Sequence, residues 1–161
     1  MKVEKYLQEV AKAIIARKVG GKLMNPPGFF KRPKEGTAII TLDGYFGVLI
    51  EEDSNIFQEK NLAISEKVLF DPDWRSCEKF VLTGIKKELP SGAFKKKNAT
   101  LVELVSEVGR KIWINEKYLK YFDYHADFYQ KCDGSMIYIS DATCHGVPVL
   151  TAVVMPVRYS E

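Results

Sequence analysis

Cysteine and histidine are scarce in this 161-residue sequence, which contains three cysteines and two histidines. Cys77, Cys132 and Cys144 are too few and too widely spaced for a disulfide framework, and their odd number leaves at least one thiol unpaired in an oxidised chain. The sequence therefore falls outside the class of small disulfide-stabilised secreted domains. A reducing cytoplasm is the predicted location.

Long apolar stretches are also absent from the sequence. Charged residues interrupt the first twenty positions at Glu4, Lys5, Glu9, Lys12, Arg17 and Lys18. These charges exclude both a signal-peptide core and a membrane span in this segment. Elsewhere no stretch is long and apolar enough to cross a bilayer, so no membrane partner is predicted.

Neither sign of charge is in large excess. The chain has 24 Lys and Arg residues against 21 Asp and Glu residues, which gives a net charge of +3. This excess is too small to bind nucleic acid through bulk charge. Any contact with DNA must come from the local placement of cations.

Motifs that carry common enzyme chemistry are missing. The patterns G-x-x-x-x-G-K, G-x-G-x-x-G and G-x-S-x-G do not occur, which removes the commonest nucleotide-binding and acyl-transfer sites. Cys144 and His145 combine a thiol with a base, but adjacent residues of a strand point to opposite faces. Asp71 and Asp73 flank a proline, which is typical of a turn. We therefore predict no catalytic residue, no metal and no cofactor, with a small enzyme using Cys144 and His145 as a less favoured alternative.

The composition that is present is typical of a folded globular protein. Hydrophobic residues make up 46% of the chain and charged residues 28%. With 161 residues, these proportions predict one domain spanning residues 1–161.

The clearest local signals are a helix and a hairpin. Val3, Leu7, Val10 and Ile14 recur at helical spacing, which predicts an amphipathic helix over residues 3–16. Residues 37–42 and 45–51 are rich in β-branched and aromatic side chains and are separated by Asp43-Gly44, a typical hairpin turn. We predict a β-hairpin there.

The residue pattern of the remaining segments predicts mainly strands. Further strands are expected at residues 62–70, 80–86, 111–114, 135–140 and 147–158, whereas residues 100–108 are compatible with helix or strand. Asn115 is suited to cap a second helix that continues to Phe122. The predicted fold class is α+β, with two helices packed on one face of an antiparallel sheet.

Two basic clusters lie in segments that are predicted to be loops. They are Lys31-Arg32-Pro33-Lys34, next to Phe29 and Phe30, and Lys95-Lys96-Lys97, next to Phe94. Lysine with neighbouring aromatics can hold phosphates and stack on bases. Solvated loops carry the same residues, and this plainer interpretation is favoured.

Two motifs near the carboxyl end resemble a known family. They are Asn115-Glu116-Lys117-Tyr118-Leu119 and Ala152-Val153-Val154-Met155-Pro156-Val157-Arg158, with 38 positions between Asn115 and Val153. An N-x-K-Y-L helix start followed at similar spacing by a terminal V-V-M-P-M-R is typical of the bacterial DNA polymerase III sliding clamp (beta subunit). The last 50 or so residues thus resemble its third, carboxy-terminal domain.

The resemblance implies a single DNA-clamp-like domain that acts in DNA replication by binding and not by catalysis. It implies sequence-independent contact with double-stranded DNA through helix cations, here Lys12, Arg17, Lys18, Lys117 and Lys120. It also implies a cleft for peptides of replication or repair proteins, lined by Val153, Met155, Pro156, Val157 and Arg158. In such a cleft Val154 would face the helices and Met155 would be at least partly exposed.

The resemblance leaves two organisations open. Bacterial clamps carry three such domains per chain and close a ring from two chains, whereas this sequence has room for one domain, a form consistent with a phage or mobile element. One possibility is a homo-oligomer that rebuilds a ring. The other is a monomeric interaction module with a clamp fold that does not encircle DNA. Independently of this choice, residues 153–157 are equally well interpreted as a core strand or as part of the cleft.

Overall fold

The computed structural model describes residues 3–16, 18–19, 22–23, 28–31, 37–51, 63–65, 71–89, 99–121 and 126–159. The first element is helix α1, Val3–Ala16. Two short 3-10 helices are described, which we call the Trp74 helix (Trp74–Ser76) and the Tyr118 helix (Glu116–Tyr121). The described strands are β1 Lys18–Val19, β2 Lys22–Leu23, β3 Gly28–Lys31, β4 Thr37–Thr41, β5 Phe46–Glu51, β6 Ala63–Ser65, β7 Glu78–Leu89, β8 Ala99–Ser106, β9 Lys111–Asn115, β10 Asp127–Gln130, β11 Ile137–Ser140, β12 Ala142–Cys144, β13 Val147–Val149 and β14 Ala152–Val154.

The helix and the hairpin predicted from the sequence are both confirmed. Helix α1 has the predicted bounds, and it buries Tyr6 and Val10 while Glu4 and Lys5 stay exposed. Strands β4 and β5 pair antiparallel, with Thr41 opposite Gly47, across the Asp43-Gly44 turn. Gly44 has a φ of +81°, the left-handed conformation that glycine adopts without steric cost.

Ten of the described strands form one sheet in the order β6-β3-β4-β5-β14-β11-β10-β7-β8-β9. All neighbouring pairs are antiparallel except β3 and β6, which run parallel. The prediction of an antiparallel sheet is therefore confirmed for most of the sheet and wrong at this one edge. The short pairs β1-β2 and β12-β13 lie outside it.

Alternating side chains of the strands enter two separate cores. The helix-side cluster, which includes Tyr6, Ile40, Phe46 and Tyr118, lies on the face that carries α1 and the Tyr118 helix. The Trp74 cluster on the opposite face consists of Ile39, Trp74, Tyr129, Tyr138, Leu150 and Val153. The α+β class is thus confirmed, with α1 and the Tyr118 helix contributing to the same core.

The sheet curves around the helix-side cluster. In strand order, β14 and β9 are separated by four other strands. Nevertheless the backbone N–H of Val157, three residues beyond β14, donates to the carbonyl of Trp113 in β9 at 2.8 Å. A flat sheet could not bring these two segments together, because neighbouring strands lie about 4.8 Å apart.

Several predicted elements differ from the structure. The helix capped by Asn115 is a 3-10 helix; the Asn115 Oδ1 accepts the N–H of Lys117 at 3.0 Å, and Phe122 lies outside the described residues. Residues 100–108, which were compatible with helix or strand, form β8 and the turn after it. The single strand predicted over residues 147–158 is instead β13, β14 and an extended carboxy-terminal segment.

The predicted basic loops are described only in part. Lys31, from the first of these clusters, lies in β3. Residues 32–34 and 95–97 lie outside the described residues. Of the strand predicted at 62–70, the structure describes β6.

Glycine is required at position 47, where β5 passes close to β4. A β-carbon at Gly47 would lie 2.5 Å from Ile39 Cγ2 and 2.8 Å from the Ile40 carbonyl oxygen. The carbonyl belongs to the sheet and cannot move independently, so we expect Gly47→Ala to lower the free energy of unfolding by about 2 kcal/mol in urea denaturation. Val81→Ala, at an exposed position of β7, is the control and should change it by less than about 0.5 kcal/mol. Equal stability of the two variants would contradict this packing.

Candidate functional site

Four aromatic rings join the two helices to the β4-β5 hairpin. We call Tyr6, Phe46, Tyr118 and Tyr121 the tyrosine cluster. The Phe46 ring stacks on Tyr118 with centroids 4.7 Å apart, and Tyr6 meets Phe46 edge-on at 5.0 Å. Such pairs add about 0.5–1.5 kcal/mol each beyond the burial of their area. The cluster therefore fixes the Tyr118 helix and α1 against the start of β5.

Asp43 adds a polar connection at the hairpin turn. Its Oδ1 accepts the backbone N–H groups of Tyr45 at 2.8 Å and Phe46 at 3.1 Å. Its Oδ2 accepts the Tyr118 hydroxyl at 2.6 Å. Hydrogen bonds to a charged acceptor are about twice as strong as neutral ones. One carboxylate thus shapes the turn and holds it to a helix 75 residues further along the chain.

The other hydroxyls of the tyrosine cluster are also paired. Tyr6 donates to the carbonyl of Phe46 at 3.1 Å and accepts the N–H of Leu42 at 2.9 Å, and Tyr121 donates to the Glu9 carboxylate. Burial raises the pKa of Tyr118, and its hydrogen bond to Asp43 raises that pKa further. Burial likewise raises the pKa of Tyr6 and Tyr121. All three tyrosines are neutral donors at physiological pH.

A small apolar recess lies beside this turn. We call it the Met155 recess; it has a volume of about 90 Å³, and its walls include Gly44, Tyr45, Met136, Val153 and Met155. The Met155 N–H donates to the Tyr45 carbonyl at 2.7 Å, which attaches the carboxy-terminal segment to the turn. Tyr45 is 65% exposed and Met155 is half-buried. The recess is therefore an accessible apolar surface and not part of the closed core.

The structure divides the predicted partner-binding residues between two places. Val153 and Met155 belong to the Met155 recess, whereas Pro156, Val157 and Arg158 line a separate groove. Val154 packs into the helix-side cluster, as predicted, and Val153 is buried in the Trp74 cluster. Residues 153 and 154 are therefore buried, as the core-strand interpretation of residues 153–157 predicts, whereas Met155 is partly exposed.

Only some of the predicted DNA-binding residues lie on α1 and the Tyr118 helix, which together we call the helical face. Lys12 is exposed on α1, and Lys117 and Lys120 are exposed on the Tyr118 helix. Lys117 lies 3.9 Å from Asp43 and Lys120 lies 3.5 Å from Glu9. These acidic partners reduce the positive potential that the helices present.

Lys18 and Arg17 complete the predicted set. The assignment of Lys18 to the first helix is wrong, because α1 ends at Ala16 and Lys18 begins β1. Arg17 lies outside the described residues.

The residues considered for catalysis or metal binding lie in turns or beside them. Cys144 is exposed at the end of β12, and His145 is exposed in the turn that follows, where it has a φ of +51°. Asp71 Oδ1 accepts the N–H of Asp73 at 2.9 Å, so it shapes the turn before the Trp74 helix. Within the described residues, no group of three or more His, Cys, Asp or Glu side chains could hold a metal ion.

Sequence reasoning missed two features of this region. Asp43 was identified as a turn residue, but nothing in the local pattern indicates that it accepts the Tyr118 hydroxyl. Tyr45 and Met136 were not singled out, although an exposed tyrosine next to a hairpin turn was a visible signal. The wall that Met136 forms depends on long-range packing.

Comparisons with known proteins do not assign the chain to a family. No family model matches it, and neither the curated proteins nor the solved structures yielded a similar protein. Among the described helices, none is long and apolar enough to cross a membrane.

The raised pKa of Tyr118 predicts a specific pH dependence of stability. The ordinary pKa of this hydroxyl is 10.0, so above that pH the unfolded chain ionises while the folded chain still resists ionisation. The stabilisation is complete below pH 10.0 and is lost as the pH rises further. We expect Tyr118→Phe to lose less free energy of unfolding than the unmodified protein between about pH 9 and about pH 11 in urea denaturation.

Tyr45→Phe is the matched control for this measurement, because it removes the hydroxyl of an exposed tyrosine. It should retain the pH dependence of the unmodified protein. Identical losses in Tyr118→Phe and the unmodified protein would show that Tyr118 is not held neutral by the fold.

Proposed function

We propose that this protein is a non-catalytic, sliding-clamp-like interaction module that binds a short apolar peptide segment of a replication protein at the Met155 recess. The observation that carries the proposal is the position of Met155. It belongs to the motif that resembles the clamp family, and it is half-buried beside the exposed ring of Tyr45.

The size of the recess supports a peptide side chain as its occupant. Sites for small-molecule substrates and cofactors usually enclose about 300–1,000 Å³. The Met155 recess has about 90 Å³, so it suits one inserted apolar side chain and not a whole substrate molecule. Such an anchor fits recognition of a short peptide segment by a few buried contacts.

The chemistry of the recess walls supports the same occupant. Met136 and Met155 are flexible and polarizable, so they can adapt to different apolar side chains. Tyr45 offers a rigid ring with a polar tip, which is typical of residues at protein interfaces. Because Val153 and Gly47 line the recess and pair with each other in the sheet, the recess is held in place without a ligand.

The position of the carboxy-terminal segment favours the monomeric module over a ring closed by strand pairing at β9. Within the described sheet, β9 is an edge strand. The Trp113 carbonyl at its middle already accepts the Val157 N–H at 2.8 Å. A strand from another chain could add to β9 only if this segment moved away, since an edge carbonyl with a partner no longer offers a free pairing site.

A second candidate function is weak, sequence-independent binding of double-stranded DNA by the helical face. It is favoured by the exposure of Lys12, Lys117 and Lys120 on the two elements that pack against the same core. Lys117 and Lys120 remain 58% and 49% exposed in their ion pairs. Exposed ion pairs contribute little free energy, about 0–1 kcal/mol, so phosphates can compete for these lysines.

The peptide proposal predicts that Met155→Ser weakens binding of a fluorescein-labelled peptide carrying the clamp-binding segment of a bacterial replicative polymerase. The loss of an apolar contact of this size should reduce affinity at least about tenfold in fluorescence anisotropy, with little change in the melting temperature. Val108→Ser is the control, because Val108 is 81% exposed in the turn after β8 and does not line the recess. That variant should change neither the peptide affinity nor the melting temperature. Unchanged peptide affinity in a folded Met155→Ser protein would contradict the proposal.

The DNA proposal predicts that the triple change of Lys12, Lys117 and Lys120 to Glu abolishes binding of a labelled duplex, measured by anisotropy at low salt. Each reversal lowers the net charge by two, so three take it from +3 to −3. The control is the same change at Lys79, Lys87 and Lys131, which are exposed on other elements. If both triple variants lose binding equally, the net charge and not the helical face is responsible.

A further inference from the structure

A second, larger groove lies at the other end of the carboxy-terminal segment. It has a volume of about 530 Å³ and is bounded by the start of β9, the turn after β10 and residues 156–159. This volume lies within the range of about 300–1,000 Å³ that is usual for sites of small-molecule ligands. The groove shares no lining residue with the Met155 recess, so it is a separate site.

One residue that lines the groove carries a buried hydrogen-bond acceptor without a partner among the described residues. Gln130 is the last residue of β10, is fully buried and lines the groove. Its Nε2 donates to the Ser135 carbonyl at 2.9 Å, which fixes the orientation of the amide. Its Oε1 has no hydrogen-bond partner among the described residues. A buried acceptor left unpaired costs about 1–3 kcal/mol, so a ligand that donates an N–H or O–H to this atom is stabilised there.

Among the described residues that line the groove, one cation has no acidic partner. Lys111 lies 3.8 Å from the nearly buried Glu103 carboxylate, and Asp133 is held by Arg110 at 2.6 Å. Arg158 is exposed and has no ion pair within the part of the chain that the structure describes. A planar guanidinium binds phosphate or carboxylate through two parallel hydrogen bonds. The groove thus offers a site for one negatively charged group.

Aromatic side chains supply the remaining wall. The Tyr159 ring meets Trp113 edge-on with centroids 5.2 Å apart, and both residues line the groove. Tyr159 is only half-buried, so part of its ring can contact a ligand. A planar aromatic ligand is suited to such a wall.

We propose that this groove binds a nucleoside monophosphate, with the base or sugar donating a hydrogen bond to Gln130 Oε1 and the phosphate bound by Arg158. This class of ligand combines a planar ring, hydrogen-bond donors and one anionic group in a volume that the groove can hold. The site does not depend on peptide binding at the Met155 recess, and either proposal can fail without the other.

The test is isothermal titration calorimetry of the full chain with AMP and with adenosine. We expect AMP to bind at least about tenfold more tightly than adenosine, because only AMP carries the phosphate. Arg158→Gln should weaken AMP binding about tenfold and leave adenosine binding unchanged. Gln130→Met, which keeps the volume but removes the acceptor, should weaken both ligands by about tenfold.

Lys87→Gln is the matched control. Lys87 is exposed and lies opposite Leu101, which pairs with Asn115 at the far end of β9 from Lys111. It should leave binding of AMP and adenosine unchanged. Should Gln130→Met fail to fold, the comparison of AMP with adenosine in Arg158→Gln still decides the proposal.

Three outcomes would overturn the proposal. The first is the absence of AMP binding at millimolar concentration, which would leave a water molecule as the partner of Gln130. The second is equal binding of AMP by the unmodified protein and Arg158→Gln. The third is tighter binding of N-acetyltyrosine than of AMP, which would assign the groove to a peptide carboxyl terminus.

Discussion

The hydrogen bond from Tyr118 to Asp43 connects the parts of the fold on which the candidate site depends. Tyr118 also stacks on Phe46, so the Tyr118 helix is held to the hairpin by a polar contact and an aromatic contact at once. Asp43 in turn orients the backbone of Tyr45 and Phe46. The loss of this connection would weaken the attachment of the hairpin turn to the Tyr118 helix, while the hydrogen bonds of Tyr6 would still hold the hairpin to α1.

This connection explains why the Met155 recess is preformed. The turn held by Asp43 supplies Gly44 and Tyr45 to the recess, and the Tyr45 carbonyl accepts the Met155 N–H at 2.7 Å. The carboxy-terminal segment then continues to Trp113, where the Val157 N–H is bound. Two backbone hydrogen bonds thus fix the segment that separates the recess from the second groove. Preorganised surfaces of this kind bind with less loss of conformational entropy.

Periodicity and turn chemistry were sufficient to predict the local elements. The spacing of Val3 and Val10 gave helix α1, and Asp43-Gly44 gave the hairpin, because both signals are local. The parallel pairing of β3 with β6 could not be predicted, since it joins residues more than thirty positions apart through backbone hydrogen bonds. The prediction of a single strand over residues 147–158 was wrong, because the alternation of apolar residues does not show where a chain leaves a sheet.

The sequence could predict which segment contributes to the candidate site, but not the three-dimensional arrangement of that site. The resemblance to clamp motifs identified residues 153–158, but it could not show that they divide between a core, a recess and a groove. Gln130 lines the groove and Tyr45 lines the recess although both are distant in sequence from residues 153–158, and only the fold places them there. The unpaired acceptor of Gln130 is a property of packing, and a sequence contains no sign of it.

Methionine methyl groups allow the central claim to be measured directly. The chain has four methionines, of which Met136 and Met155 line the recess. Titration of protein labelled with ¹³C at the methionine methyls, using the polymerase-derived peptide, should shift the Met136 and Met155 resonances together in proportion to occupancy. If the peptide binds while both resonances stay in place, the Met155 recess is not the partner-binding site and the account is wrong.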